Sequence, residues 1–187
     1  MTERSSMRDG ILAAAAKRVR AVGFNAVSFR DLARDVGVKS SSVHYYFPQK
    51  EDLGDALVLR YTQDFQARLD EIDIQTLGPV AALEAFVGLY ASALVIGESV
   101  CLCAILGAES QSLPDRVNRR VAAFFEENTA WLAGILERMP TASGLMTPIE
   151  IVSALEGAMI VSSVIGTREA FDATAARIVA NYAEQLR

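Results

Sequence analysis

The sequence has few of the residues that most metal and nucleophile sites need. It contains two cysteines and one histidine in 187 residues. A disulfide framework uses more cysteines than this, and structural metal sites commonly need several cysteine or histidine ligands. We find no Glu-x-x-His pair, no glycine-rich phosphate loop and no pattern typical of a catalytic triad. The sequence therefore predicts a protein that is not an enzyme and holds no metal or cofactor.

The sequence also lacks a clear membrane-spanning or secretion segment. Its most apolar stretch, residues 85–108, carries Glu98 near the middle, whereas a span needs roughly 20 residues with few or no charges. The first apolar patch, which starts at Ile11, is short and is followed at once by basic residues, unlike a signal peptide. We therefore expect core helices, no membrane contact and a cytoplasmic location.

What is present is a pattern typical of helices. Hydrophobic residues make up 51% of the chain, which is enough to fill a core. No stretch shows sustained alternation with period two, and Gly and Pro fall where helices should end. Thr147 and Pro148 mark one helix start. The helices are expected near residues 6–22, 28–36, 40–47, 51–73, 79–96, 99–108, 113–138, 147–166 and 168–186.

Charge is distributed unevenly along the chain. The net charge is −5, but residues 1–60 carry +3 and the remainder carries −8. A basic end on an acidic protein favours an anionic partner that binds at that end.

The segment around residues 28–38 has the pattern of a helix followed by a sharp turn. Ser28 can cap a short helix, and Gly37 can end it, because a left-handed backbone conformation is cheap only for glycine. Val38 then follows as an apolar residue in the turn. Ala33 is small enough to let a second helix cross closely. This order predicts a helix-turn-helix.

The second helix of this pair is expected to be apolar on one side and polar on the other. Ser40 or Ser41 can cap it, and Pro48 stops it. The inner side is formed by Val43, Tyr46 and Phe47. A helix that enters the major groove needs short polar groups for base edges and longer donors for phosphates. Arg30 and Lys50 flank the polar side and can reach phosphates, and a guanine contact is the alternative for Arg30. The predicted DNA-binding residues are Ser28, Arg30, Lys39, Ser40, Ser41, Ser42, His44, Tyr45 and Lys50.

The stretch "FRDLARDVGVKSSSVHYYFPQKEDL" resembles the DNA-binding signature of the TetR/AcrR family of bacterial regulators. The matching parts are the Gly37-Val38 turn, the Tyr46-Phe47 pair and the Lys-Glu-x-Leu element at residues 50–53. "ILAAAAKRVRAVGFNAVSFRDLA" before it resembles the family's first helix, glycine-aromatic loop and second helix. The resemblance covers about residues 8–56. Two positions depart from the family pattern: Ser41 replaces a common glycine or proline, and His44 replaces a tyrosine. We interpret His44 as a neutral hydrogen-bond donor rather than a pH switch.

The resemblance implies an all-α fold with an N-terminal three-helix helix-turn-helix domain at residues 1–50. A helical effector-binding and dimerisation domain would follow at residues 51–187. It also implies a homodimer that represses transcription from a near-palindromic site on double-stranded operator DNA and leaves that operator when a small molecule binds. The physics favours two copies as well, since one short helix offers few base contacts and two half-sites combine their binding energies.

Two helices near the C-terminus are the expected dimer interface, mainly because of the resemblance. Both carry stripes with small residues, which permit close packing, although the same stripes could face the protomer's own core. The predicted interface residues are Ile151, Ala154, Leu155, Ala158, Val161, Ile165, Ala173, Ala176, Val179, Ala180 and Ala183.

An effector pocket is expected among the central helices, with an apolar lining that suits a small hydrophobic or aromatic molecule. Plain core packing is the competing interpretation for each residue. The predicted lining residues are Phe86, Tyr90, Phe124, Phe125, Trp131, Met159, Ser162 and Ser163.

The "CLC" segment leaves a further alternative open. Cys101 and Cys103 point about 200° apart on a helix, so they cannot easily bind one ion or each other. We expect buried free thiols, and the alternative is a regulator that senses oxidants through one exposed cysteine. The other alternative is a helical small-molecule carrier or enzyme that does not bind DNA.

Overall fold

The computed structural model describes residues 3–97, 100–139 and 144–185, and every statement below concerns these residues. Within them the fold is all-α, as the sequence predicts. The helices are α1 (Glu3–Val22), α2 (Phe29–Asp35), α3 (Ser40–Tyr46), α4 (Lys50–Asp70), α5 (Ile74–Leu77), α6 (Pro79–Gly97), α7 (Leu102–Ala108), α8 (Asp115–Leu136), α9 (Pro148–Ile165) and α10 (Glu169–Glu184).

The chain forms two compact units. The first consists of Met1–Gln63 and Leu102–Ala122, and the second of Asp64–Cys101 and Ala123–Arg187. Helices α4 and α8 therefore each begin in the first unit and end in the second. The boundary predicted at residue 50 separates a DNA-binding domain from an effector-binding and dimerisation domain. It remains a prediction.

The core of the first unit is built from apolar residues at helical spacing. In α1, Ile11, Leu12, Ala15 and Val19 are all buried, because residues three or four apart share one helix face. α1 packs against α2 and α7, and α2 packs against α3. The buried side of α1 thus packs directly against α2, the first helix of the predicted helix-turn-helix.

The second unit is a bundle in which α10 packs on α9 and α6, and α6 packs on α5 and α9. Helix α9 begins where the sequence predicts, with the backbone N–H of Thr147 donating to the carboxylate of Glu150 at 2.6 Å. It ends at Gly166, whose φ of 80° is left-handed. The predicted helix near 51–73 ends earlier, because Asp73 caps the separate short helix α5 by accepting from the backbone N–H of Gln75 at 3.1 Å.

One described helix, α9, is long and apolar enough to cross a membrane by length and composition. Core helices of soluble proteins have the same composition. Ile151, Leu155 and Met159 of α9 are fully buried in the protein rather than available to lipid. The apolar stretch at 85–108 forms two helices, since α6 ends at Gly97 and α7 begins at Leu102. Glu98 lies outside the described residues.

Candidate nucleic-acid interface

The first helix of the motif, α2, is capped as predicted. The Oγ of Ser28 accepts a hydrogen bond from the backbone N–H of Asp31 at 3.1 Å, and the Ser28 hydroxyl donates to the Asp31 carboxylate at 2.6 Å. This hydrogen bond, with smaller help from Arg34, lowers the pKa of Asp31. The negative charge also suits the positive end of the helix dipole. The start of α2 is therefore firmly defined.

The turn between α2 and α3 also follows the prediction. Gly37 has a φ of 71°, and the space around it is open, so backbone conformation rather than crowding requires glycine there. The backbone N–H of Val38 donates to the carbonyl of Ala33 at 2.9 Å. Ala33 itself is buried, which leaves room for α3 to cross α2 closely.

The predicted cap of α3 is wrong. Neither Ser40 nor Ser41 occupies the N-cap, which is Lys39 with extended backbone and no side-chain cap bond. Ser40 is instead the first residue of the helix. Because serine occupies three consecutive positions, 40–42, the sequence did not determine at which residue the helix begins.

Helix α3 presents a polar face to solvent. Its inner side carries Val43 and its C-cap is Phe47, both of them buried. The predicted DNA-binding residues Lys39, Ser41, His44 and Tyr45 are exposed, and Ser40 and Ser42 are half-buried. Tyr45 is 62% exposed, so most of its side chain is open to solvent.

The exposed rings of α3 are held by other rings. The imidazole of His44 meets Phe29 of α2 edge to face, with centroids 4.6 Å apart. Tyr45 and Tyr46 make a similar contact at 5.2 Å. Edge-to-face ring contacts of this kind are favourable, so they stabilise the observed positions of His44 and Tyr45 on the exposed side of α3.

Arg30 and Lys50, the two predicted phosphate contacts, have different surroundings. Arg30 is exposed on α2, beside the motif. Lys50 is half-buried, and its ammonium group donates to the carbonyl of Asn25 at 2.8 Å and lies 5.0 Å from the centre of the Phe24 ring. Burial lowers the pKa of Lys50, against the opposing influence of the Glu109 carboxylate. Lys50 thus has a role within the protein, and its contact with phosphate remains a prediction.

Sequence reasoning did not find the groups that brace the motif from α1. The guanidinium of Arg18 makes two hydrogen bonds to the carboxylate of Asp35 at the end of α2, one of them 2.8 Å long. This bond lowers the pKa of Asp35. Arg8 lies over the Phe47 ring at 5.3 Å. No local spacing reveals these pairs, because their members are 17 or more residues apart.

The predicted effector residues divide into two groups in the second unit. The aromatic members form one cluster, in which Phe86 stacks on Trp131 at 5.5 Å and touches Tyr90 at 5.3 Å. Phe65, which the sequence analysis missed, joins Tyr90 to Phe124. The other predicted aromatic residue, Phe125, contacts Phe124 at 5.3 Å.

The remaining predicted effector residues lie on α9. The Sδ of Met159 accepts from the backbone N–H of Cys101 at 3.2 Å. The Oγ of Ser162 is buried and accepts from the backbone N–H of Phe171 at 3.0 Å. Ser163 is exposed. Ser162 and Ser163 line an open surface hollow of about 370 Å³ at the end of α9.

Two polar side chains in the second unit are buried without the hydrogen bonds they need. Asn128 is fully buried, and neither atom of its amide has a hydrogen-bond partner among the described residues. Glu156 is 8% exposed, and its two oxygens also lack bonds of normal geometry there. The Cys101 thiol lies beside Glu156 but is a weak partner. Burial, with a smaller contribution from Cys101, raises the pKa of Glu156 to about 10.

The predicted interface stripe of α9 is split by the structure. Ile151, Leu155 and Ala158 are buried within the protomer, and Ala154 is half-buried, whereas Val161 and Ile165 are exposed. On α10, Ala173, Ala176 and Ala180 are exposed, and Val179 and Ala183 are half-buried. Three further exposed aliphatic residues of α9 were missed: Ile149, Ile160 and Val164.

Cys101 and Cys103 form no disulfide with each other, and both are buried. Cys101 is 2% exposed and Cys103 is inaccessible, so neither has the exposure that a reactive sensor thiol needs. Among the described residues, no group of three or more His, Cys, Asp or Glu side chains could hold a metal ion.

The fold and the exposed face of α3 define a class: an all-α protein with an N-terminal helix-turn-helix, built as DNA-binding transcriptional regulators are. Comparison with known proteins makes this more specific. Residues 11–57 match the family model for "Bacterial regulatory proteins, tetR family". No curated protein matches the chain in sequence. The family-model match and the 27% identical structures confirm the resemblance to TetR-family regulators that the sequence shows.

Solved structures extend the likeness to nearly the whole chain. A transcriptional regulator of the TetR family from Agrobacterium tumefaciens is 27% identical, with a TM-score of 0.86 over 95% of this chain and 98% of that one. A TetR transcriptional regulator from Legionella pneumophila is also 27% identical, with a TM-score of 0.83 over 92% and 95% of the two chains. One from Chloroflexus aurantiacus, 16% identical, shares the fold with a TM-score of 0.82 over 99% and 98%.

Proposed function

We propose that this protein is a cytoplasmic repressor that binds operator DNA as a homodimer and leaves it when a small hydrophobic or aromatic effector binds. The observation that supports this most strongly is the polar face of α3, exposed to solvent above the buried Val43 and Phe47. Enzyme and carrier functions are not favoured, because neither makes use of such a face.

Within this proposal, the predicted DNA-binding residues differ in how far their side chains extend from α2 and α3. Ser41 and His44 are short, exposed side chains suited to base edges in the major groove. Lys39, Tyr45 and Arg30 are longer, exposed side chains suited to phosphates on either side. Ser40 and Ser42 can add hydroxyl contacts near the start of α3. The Ser28 hydroxyl already donates to Asp31, so a contact of Ser28 with DNA would have to replace that bond.

Replacing Arg30 by alanine is expected to weaken the salt dependence of DNA binding. Each lost phosphate contact lowers the slope of log affinity against log salt by about one, hence by about two for a dimer. Fluorescence anisotropy of a labelled duplex from the DNA upstream of the protein's own coding sequence measures this slope. Arg119→Ala removes the same charge from an exposed position on α8 and is the matched control. An unchanged slope in Arg30→Ala would remove Arg30 from the interface.

Homodimer formation is supported by the outer face of α9. Five of its aliphatic side chains are between 44% and 83% exposed, and soluble monomers rarely leave such a row uncovered. The exposed alanines of α10 allow a second copy to approach closely. We therefore place the proposed interface on the exposed rather than the buried side of the predicted stripe, at Ile149, Ile160, Val161, Val164 and Ile165, with Ala173, Ala176 and Ala180.

An effector site is proposed at the aromatic cluster of the second unit. Phe86, Tyr90, Phe124 and Trp131 form a packed group of aromatic rings. Asn128, one turn after Phe124 on α8, is buried with an amide that bonds to none of the described residues. A hydrophobic molecule with one or two polar groups could meet that unused capacity. Trp131 is the only tryptophan of the chain, so its fluorescence reports on any molecule that enters the cluster.

A further inference from the structure

The loop between α1 and α2 is held by a residue far away in the sequence. The carboxylate of Glu109, just after α7, accepts hydrogen bonds from the backbone N–H groups of Phe24 at 3.0 Å and Asn25 at 3.1 Å. Bonds from neutral donors to a charged acceptor are stronger than those between neutral groups. One side chain thereby satisfies two consecutive amides of the loop that leads into the helix-turn-helix.

Neighbouring groups reinforce this contact. The side-chain amide of Asn25 donates to the Oγ of Ser112 at 2.7 Å, and the Ser112 hydroxyl donates to the backbone carbonyl of Glu109 at 3.0 Å. Lys50, at the start of α4, donates to the carbonyl of Asn25 at 2.8 Å. The loop is therefore bonded on one side to the segment after α7 and on the other to α4.

Gly23 leaves the space that this arrangement needs. A Cβ atom at position 23 would lie 2.0 Å from the Glu109 Oε1 that accepts from Phe24, so any other residue would push the carboxylate away. The φ of 80° at Gly23 also favours glycine. Residues 23, 24, 25 and 109 thus form one small unit, which we call the Glu109 latch.

We propose that Glu109 is a positioning residue for DNA reading, whose carboxylate fixes the α1–α2 loop and so the orientation in which α3 is presented. The inference rests on the proposed function. A dimer that reads two half-sites must hold each α3 at a set distance and angle. A loop that is already fixed loses less conformational freedom on binding than a loose one. The latch should therefore affect binding to correctly spaced half-sites more than binding to DNA in general.

Glu109→Gln is the principal test. Glutamine keeps the size of the side chain but replaces one acceptor oxygen by an N–H donor, which cannot accept from a backbone N–H. We expect affinity for a two-half-site operator, selected by the wild-type protein from random duplexes, to fall about tenfold. The penalty for inserting one base pair between the half-sites should shrink, while low-salt affinity for random DNA should stay the same. Amide hydrogen exchange at Phe24 and Asn25 should become faster.

Two further variants keep the test decisive. Glu126→Gln makes the same chemical change at an exposed position of α8 and should behave as wild type. Gly23→Ala should reproduce the spacing defect, and its effect on spacing preference should add little to that of Glu109→Gln, because both changes remove the same contact. Its left-handed backbone should in addition lower the melting temperature of the alanine variant.

The outcomes that overturn the inference are distinct from failure of the proposed function. If the wild-type protein selects no DNA, both the function and this inference are wrong. If it selects an operator but Glu109→Gln matches Glu126→Gln in affinity and spacing preference, only the role of Glu109 is wrong. Equal losses on operator and random DNA, with a lower melting temperature, would make the latch a stabilising contact without a positioning role.

Discussion

The double variant Ile160→Asp, Val164→Asp is expected to be a folded monomer that has lost operator affinity by about 100-fold or more. Both side chains are exposed in the protomer, Val164 by 83% and Ile160 by 44%, so the changes should leave the core of the second unit intact. In a dimer they would place four carboxylates in an apolar interface, where unpaired charge is strongly unfavourable. Without the dimer, each α3 must bind its half-site alone.

Sedimentation measures the mass of this variant, and anisotropy with the operator measures its affinity. Leu77→Asp is the control, since it places aspartate at another exposed aliphatic residue of the second unit, on α5. That variant should remain dimeric and bind normally. A double variant of α9 that sediments as a dimer would contradict the proposed interface, and a monomer with full affinity would contradict the need for two copies.

Glu156→Gln is expected to make the protein more stable at alkaline pH, by up to about 6 kcal/mol at pH 9 and by less than about 1 kcal/mol at pH 5. In the folded protein burial raises the pKa of Glu156 from its ordinary 4.5 to about 10. The folded state therefore binds a proton that the unfolded chain releases above pH 4.5. The wild-type protein should lose stability progressively as the pH rises from about 5 toward 10, and glutamine removes that dependence.

Urea unfolding at several pH values tests this expectation. Glu150→Gln on the same helix is a suitable control, because hydrogen bonds from Thr147 lower the pKa of Glu150. Its contribution would be lost only as the pH falls through that lowered pKa, so the control should show no change of slope between pH 6 and 9. A Glu156→Gln protein with the same pH dependence as wild type would mean that the carboxyl finds a strong partner or water.

Much of the first unit could be predicted from the sequence because its signals are local. Ser28, Gly37 and Pro48 each act on the backbone within a few residues, so the helices and the turn follow from their order. The cap of α3 was misplaced because Ser40 and Ser41 compete for it. The short helix α5 was not predicted as a separate element, because Asp73 lies in a stretch that otherwise continues the pattern of α4.

The face of α9 and the Glu109 latch could not be predicted, for different reasons. α9 is apolar on nearly every side, so its sequence does not reveal which stripe faces the core and which faces a partner. Glu109 contacts residues about 85 positions earlier in the chain, and one carboxylate in an acidic protein carries no signal of such a contact. Lys50 is similar, because its bond to the carbonyl of Asn25 depends on how the loop folds back.

The most direct measurement is selection of DNA from a random duplex pool by the wild-type protein and by the variant Ser41→Ala, His44→Ala. If the polar face of α3 enters the major groove, the wild type should enrich a near-palindromic sequence. Its half-sites should lie one helical turn, or a multiple of one turn, apart. The variant should lose that preference while still binding DNA weakly at low salt. Enrichment of no sequence by the wild type, or of the same sequence by both proteins, would contradict the assignment of α3 as the reading helix.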